Sequence, residues 1–199
     1  MKEKAGKVFL YTKWKLERMD NLRDTGPRRA QLAQLRHGLG KAPGELPELW
    51  GILFQEIPDE LCGKGRASDA EWAIYTALTL YAFHQQGNSA SVLGDSITIG
   101  HAAAGLVRRE DDVDRIRKRL NSIVGAQTSE EMAYQLRGLI QLIRSADSLI
   151  RIDYAGLARE LYLLHFPERA KDIKLGWGRD FYSVINQKLG KSKEDKEEK

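Results

Sequence analysis

Four histidines (His37, His84, His101 and His165) and one cysteine (Cys62) are the side chains of this 199-residue sequence with the widest catalytic and metal-binding range. None falls into an HExxH or CxxC spacing, so neither a helical zinc site nor a dithiol centre is indicated. His84 ends an apolar helix pattern and reads as a satisfied core or helix-end histidine. Cys62 has no glycine-rich elbow around it and reads as a small apolar filler. Asp111, Asp112 and Asp114 open a helix, where the amide-rich N-terminus stabilises carboxylates without any metal. Gly63-Lys64-Gly65-Arg66 is too short for a phosphate-cradling Walker loop. No catalytic constellation emerges. The expectation is a chain that is not an enzyme and uses no cofactor or metal.

The basic residues carry more information. Arg115, Lys118 and Arg119 fall at i, i+3 and i+4 of one helix and share a surface. Arg137, Gln141 and Arg144 follow i, i+4 and i+7 in the next. Arg28, Arg29 and Arg36 stand opposite or beside Leu32 and Leu35, and Lys171 and Lys174 repeat the i, i+3 pairing near the end. Rows of this kind, with no compensating acids expected on the same stripes, can track a phosphate backbone and give salt-dependent, sequence-independent affinity. A solvated helix face gives the same pattern, so each row by itself is a weak signal.

The elements that must position these rows are helical almost throughout. Val8, Tyr11, Lys15, Leu16 and Met19 mark a first helix over about residues 4–22. A turn at Asp24-Thr25-Gly26 follows, and Pro27 suits the start of a helix that ends at Gly38 or Gly40. Leu49, Trp50, Leu53 and Phe54 form a short helix stopping at Pro58. Ser68-Asp69-Ala70-Glu71 has capping-box spacing and opens a helix apolar on most faces, running to Gly87 and expected at the centre. Residues 87–91 read as a hinge between halves. Ser96 is placed to cap a helix to about Val107, followed by helices over Asp111–Val124, from Thr128 through Ile143, from Tyr154 to His165 capped by Asp153, and from Pro167 onward. The expectation is all-α: a two-lobed bundle of eight or nine helices, with an N-terminal bundle over 1–88, a C-terminal bundle over 89–190 and a charged flexible tail over 191–199.

Composition sets the outer bounds. Hydrophobic residues make up 42% and charged residues 30%, a globular balance rather than a disordered one. The longest mostly apolar stretch, Ala73 to Phe83, falls short of the about 20 residues a bilayer needs, and because no apolar block with a small-residue cleavage site follows MKEKAGKVF, no secretory signal is expected. With one cysteine no internal disulfide can form, and a reduced cytoplasmic setting is expected. The net charge of +4 is unevenly spread: +7 over residues 1–41, −6 over 42–107, +3 over 108–190 and zero beyond. A basic face is thus hidden by a near-neutral total.

In order along the chain, RRAQLAQLRHG (Arg28 to Gly38), EWAIYTALTLYAFHQ (Glu71 to Gln85), SITIGHAAAGL (Ser96 to Leu106), YQLRGLIQLIRS (Tyr134 to Ser145), IDYAGLAREL (Ile152 to Leu161) and GWGRDFY (Gly176 to Tyr182) resemble the CasB family, the small subunit of the type I-E CRISPR surveillance complex Cascade. The resemblance covers about residues 8–187, apart from 39–65 and 146–151. It implies a non-catalytic helical protein, present as two copies beside other Cascade subunits, that steadies the pairing of CRISPR RNA with target DNA and the displaced single strand. Guide pairing would supply specificity and the protein only backbone contacts. By resemblance the basic positions are Arg36, Lys118, Arg119, Arg137, Lys171 and Lys174. His101 stands where an arginine is expected and Gly125 where the helix end is often basic. A helical transcriptional repressor with an N-terminal DNA reader is the competing interpretation. Residues 24–41 lack a convincing helix-turn-helix, and the basic rows continue far into the second half.

Overall fold

Ser68 opens the helix around which the chain is arranged. Its hydroxyl accepts from the Glu71 amide at 3.0 Å and the Glu71 carboxylate accepts from the Ser68 amide at 2.6 Å, the reciprocal capping box expected from the spacing. A computed structural model describes residues 1–22 and 25–197, with side chains as far as Lys188. It contains nine α-helices among the described residues: α1 (Lys2–Asn21), α2 (Gly26–His37), α3 (Trp50–Phe54), α4 (Asp69–Gln85), α5 (Ile99–Gly105), α6 (Asp112–Gly125), α7 (Ser129–Arg144), α8 (Tyr154–Leu163) and α9 (Pro167–Glu197). Short 3-10 turns at Pro47–Leu49 and Asp59–Leu61 flank α3. The described residues form no strand, only an isolated parallel bridge between Leu93 and Ile152. None of the described helices is long and apolar enough to cross a membrane.

Thirteen of the 17 residues of α4 are buried; only Asp69, Glu71, Trp72 and Phe83 keep part of their surface open. α1, α2, α7 and α8 pack around it. α8 comes from beyond residue 150, so the second half of the chain completes the core of the first. On the other side α9 lies along α5, and α6 packs against α5 and α7. Because most of α4 is enclosed, its buried polar groups need partners from the surrounding helices. The Tyr75 hydroxyl donates to the Gly38 carbonyl at 2.6 Å and so fixes the end of α2. The Tyr81 hydroxyl meets Asp20 of α1 and Arg28 of α2, both at 3.3 Å. His84 Nδ1 lies 2.9 Å from the Tyr154 hydroxyl at the start of α8.

Several local expectations hold in detail. Val8, Tyr11, Lys15, Leu16 and Met19 are all buried along α1. Thr25 caps α2 with Pro27 in the first turn; Asp24, placed in the preceding turn, lies outside the described residues. The Asp153 carboxylate caps α8, accepting from the Gly156 amide at 2.7 Å. Others shift. Ser96 does not cap α5; it takes a left-handed φ of 57°, and Thr98 is the cap. Residues 87–91, expected as a hinge, are tied by one buried side chain. Gln85 Nε2 donates to the carbonyls of Asn88 and Ala90, and its Oε1 accepts from the Val92 amide. The backbone of α9 continues as helix from the region before Lys191 to Glu197.

Two tertiary features yield measurable consequences. Gly100 of α5 meets α9 so closely that a Cβ would sit inside the van der Waals radius of the Trp177 carbonyl oxygen and 3.0 Å from Asp180 Cβ. Gly100→Ala is expected to push the helices apart at a cost of about 2 kcal/mol, as for overpacked cores, lowering Tm by roughly 4–8 °C in a chain of this size; an unchanged melt would contradict the close approach. Nearby, the Trp177 indole N–H donates to Glu160 at 2.8 Å. Burial pushes the Glu160 carboxyl up from 4.5 to about 7, with Asp153 and Asp180 adding to the rise and Trp177 and Arg159 opposing it. Between those values the folded chain holds a proton that the unfolded chain releases, so this group's stabilising contribution is lost as pH rises. His84 has the opposite sign: burial, then Arg144, pushes it down from 6.5 to about 4, so its contribution is lost as pH falls through that range. The two slopes offset in the native protein. In Glu160→Gln the stability relative to the native chain should climb from pH 5 to pH 7.5 in thermal melts, and a flat difference would show that Glu160 is ionised throughout.

Candidate nucleic-acid interface

Phe83 occupies the last turn of α4 and is half-buried, because α7 covers it with charge instead of hydrocarbon. The Arg144 guanidinium lies 4.4 Å from its ring centroid and that of Arg137 lies 5.8 Å away. These two arginines are seven residues apart and share one face of α7, whose other face buries Leu136, Leu139, Ile140 and Ile143 in the core. An aromatic face attracts a cation through its quadrupole and holds it in place. The Arg144 side chain donates to the Gln86 carbonyl at 3.4 Å, while its buried Nε has no partner among the described residues.

Two neighbours extend the cluster. Arg36, from the last turn of α2, is half-buried, and burial together with the nearby Arg144 charge pulls its pKa below the ordinary arginine value. Such a group still stays protonated near neutral pH. Arg119 reaches across from α6 over the backbone of α7 at Gly138, where a Cβ would lie 3.2 Å from its Nη1. Gly40, at φ +87°, gives similar room to Arg137, whose Nη1 would lie 3.7 Å from a Cβ there. Lys118 is exposed beside Arg119 on α6. The result is a stripe from α6 across α7 to the end of α2. Among the described residues no carboxylate forms an ion pair with Arg36, Lys118, Arg119, Arg137 or Arg144. Packed like charges with no counter-ion of their own make a site that an external anion relieves.

The other basic residues singled out from the sequence are placed differently. Arg28 is 8% exposed; it donates to Asp20 at 2.8 Å and to the Tyr81 hydroxyl, joining α1, α2 and α4 from within. Its position follows from spacing: residues 28, 32 and 35 share a helix face, and Leu32 and Leu35 are in the core. Arg29 is exposed at the start of α2. Arg115 is exposed but pairs with Asp112 at 2.8 Å, and Arg117 pairs with Asp114 at 2.9 Å. The α6 row therefore carries acids of its own, contrary to the expectation from the sequence. Asp112 also accepts from the Arg108 and Arg109 amides, and its Arg115 hydrogen bond, then those amides, hold it down at about 2. Lys171 is exposed and Lys174 half-buried on α9, and no contact joins them to the stripe.

His101, where the resemblance led to an arginine, completes the cap of α5. Its Nδ1 lies 3.0 Å from the Thr98 hydroxyl, which donates to Asp180 of α9 at 2.6 Å. Gly125 is the last residue of α6. Burial is the largest of the influences raising the Cys62 thiol pKa, followed by Glu71 and Asp59. Sequence reading missed Phe83 as the platform of the stripe; its one signal was a position at the end of the buried helix, next to the polar Gln85-Gln86 pair.

Comparison with known proteins agrees with this architecture. The chain is similar to the crystal structure of CasB from Thermobifida fusca, with 29% identity and a TM-score of 0.75 over 88% of this chain and 97% of that one. It also resembles M. ruber CasB, with 26% identity and a TM-score of 0.62 over 89% and 95% of the two chains. CasB from Thermus thermophilus, at 22% identity and a TM-score of 0.64 over 86% and 97%, shares the fold. No curated protein sequence matches the chain. A family model described as CRISPR-associated protein Cse2 matches residues 31–182, most of the nine-helix body and the whole of the stripe. The chain therefore belongs to the Cse2 family of CRISPR-associated proteins.

Proposed function

We propose that the chain is the non-catalytic small subunit of a type I-E CRISPR surveillance complex, Cascade. In this role it holds nucleic-acid backbones on the stripe formed by Arg36, Lys118, Arg119, Arg137 and Arg144. The observation that carries the proposal is the convergence of Arg36, Arg119, Arg137 and Arg144 from three helices, with Lys118 exposed next to Arg119 in sequence and no carboxylate paired to any of the five among the described residues. Phosphates supply the missing charge, and guanidinium groups suit them because their planar donors can bind in forks. Backbone contact is independent of sequence. It fits a complex in which guide RNA pairs with target DNA and the protein only tips a near-balanced strand exchange and steadies the displaced strand.

The remaining chemistry supports a role without catalysis. Asp112 holds the entry to α6, His84 is bonded to Tyr154, and His101 caps α5. The acidic stretch over residues 42–107 suits contact with basic surfaces of other Cascade subunits or of a second copy of the chain. Arg28 and Arg115, with carboxylate partners of their own, are left outside the proposed contact surface.

The test is fluorescence polarisation of purified protein with labelled single- and double-stranded oligonucleotides across a salt series. Reversal of Lys118, Arg119 and Arg137 to glutamate together is expected to weaken binding by a similar factor on every sequence. The slope of log K against log salt should shrink, for each phosphate contact removed, by about 0.9 on duplex and about 0.7 on single strands. Reversing Lys171 and Lys174 instead should do less. Unchanged binding after the triple reversal would remove the stripe from the account.

A further inference from the structure

Away from the stripe, two clefts meet at Trp72. One, of about 490 Å³, lies between α4, the start of α7 and the end of α8; Ala73, Met132, Leu161 and Leu164 form its apolar wall, and Thr76, Gln127, Thr128 and His165 its polar side. The other, of about 500 Å³, lies between α1, the loop around residues 63–67 and the start of α4. Trp72 and Ser129 line both, so the two adjoin at these side chains. Each falls within the 300–1,000 Å³ usual for small-ligand sites.

The charges are segregated. Lys4, Lys64 and Arg66 line the second cleft, and among the described residues none of the three forms an ion pair. Glu60, whose carboxylate also feels the Lys4 charge, is bonded to Lys7. Asp69 also lines this cleft, but its carboxylate faces His165 Nδ1 at 3.5 Å. In the first cleft the carboxylate is Glu130, in the first turn of α7. A ligand that satisfies both halves has a compact anion at one end and a flat, largely apolar body with polar edges at the other.

We propose that the two adjoining clefts bind a nucleoside phosphate across their shared edge, with Trp72 against the base and Lys4, Lys64 and Arg66 around the phosphate. Stacking on an indole tolerates any base. The three cations supply charge, and Arg66 can bind the phosphate in a fork. Glu130 is suited to accept from a sugar hydroxyl or an exocyclic amine, and it repels a second anionic group, which fixes the direction of the ligand. This site uses none of the residues of the stripe, so it stands or falls separately from the proposed Cascade role. The same chemistry is met by a free nucleotide and by one nucleotide of a single strand.

Titration calorimetry with AMP, ADP, adenosine and tripolyphosphate separates these sources, together with photo-crosslinking of a 5-iodouridine-containing 12-nucleotide DNA strand. AMP or ADP is expected to bind at least tenfold more tightly than adenosine or tripolyphosphate. Lys64→Glu with Arg66→Glu, both at exposed positions, should abolish that binding, while the reversed stripe leaves it intact. Trp72→Leu should weaken it as well, with a thermal melt to confirm folding. If the mononucleotides do not bind but the strand crosslinks to Trp72 and the link is lost in the Lys64/Arg66 variant, the occupant is a strand nucleotide and the proposal stands. It is overturned if tripolyphosphate binds as tightly as ADP, if the Lys64/Arg66 variant changes neither probe, or if neither mononucleotide binds and the strand does not crosslink to Trp72.

Discussion

A helix buried along most of its length cannot leave its interior polar groups unanswered, and α4 imposes that condition on the rest of the chain. Tyr75, Tyr81, His84 and Gln85 all lie in it, and each has its partner on a different segment: the end of α2, the α1–α2 ion pair, the start of α8 and the turn after α4. An unmet buried donor or acceptor costs about 1–3 kcal/mol, so displacing any of these segments is penalised beyond the apolar contacts it loses. This explains why Arg28 is inside. Its guanidinium closes the Asp20–Tyr81 arrangement, and it enters the interior with a carboxylate beside it, as a buried charge must.

The same helix decides where the basic stripe forms. Phe83 is half-buried in the last turn of α4, and its ring is met by arginines of α7 instead of by another apolar side chain. With Arg144 held against the ring, Arg36 lies close enough for the two charges to act on each other. Arg119 joins because Gly138 has no side chain to keep it away. The stripe is therefore a by-product of core packing: rigid elements set the positions of groups that are themselves left without counter-charge.

Much of the core was legible from sequence because its signals are local. The capping box at Ser68, the cap at Asp153 and the apolar faces of α1, α4 and α7 follow from spacing within one helix, and they appear as expected. Arg28 was legible too, since it lies one turn before Leu32 on the face that also carries Leu35. At this position residue type and face geometry point different ways, and the face geometry prevails. Likewise Asp112 stands three residues before Arg115, close enough to pair on a helix. What could not be read was the meeting of distant segments. Nothing local couples Phe83 to Arg144, Arg119 to Gly138, or Trp72 to Lys64. Thr98, the cap of α5 in place of Ser96, also donates its hydroxyl to Asp180 of α9, far along the chain.

Gln141 lies on α7 between Arg137 and Arg144, exposed and on their face. Replacing it with a photo-crosslinking benzoylphenylalanine in a guide-loaded complex, before and after target DNA is added, probes the stripe where it would do its work. The expected result is a crosslink to a nucleic-acid backbone at this position and none from the same probe at Leu175, an exposed residue of α9 away from the stripe. A crosslink to another protein subunit at Gln141, with nucleic acid captured only elsewhere, would contradict it.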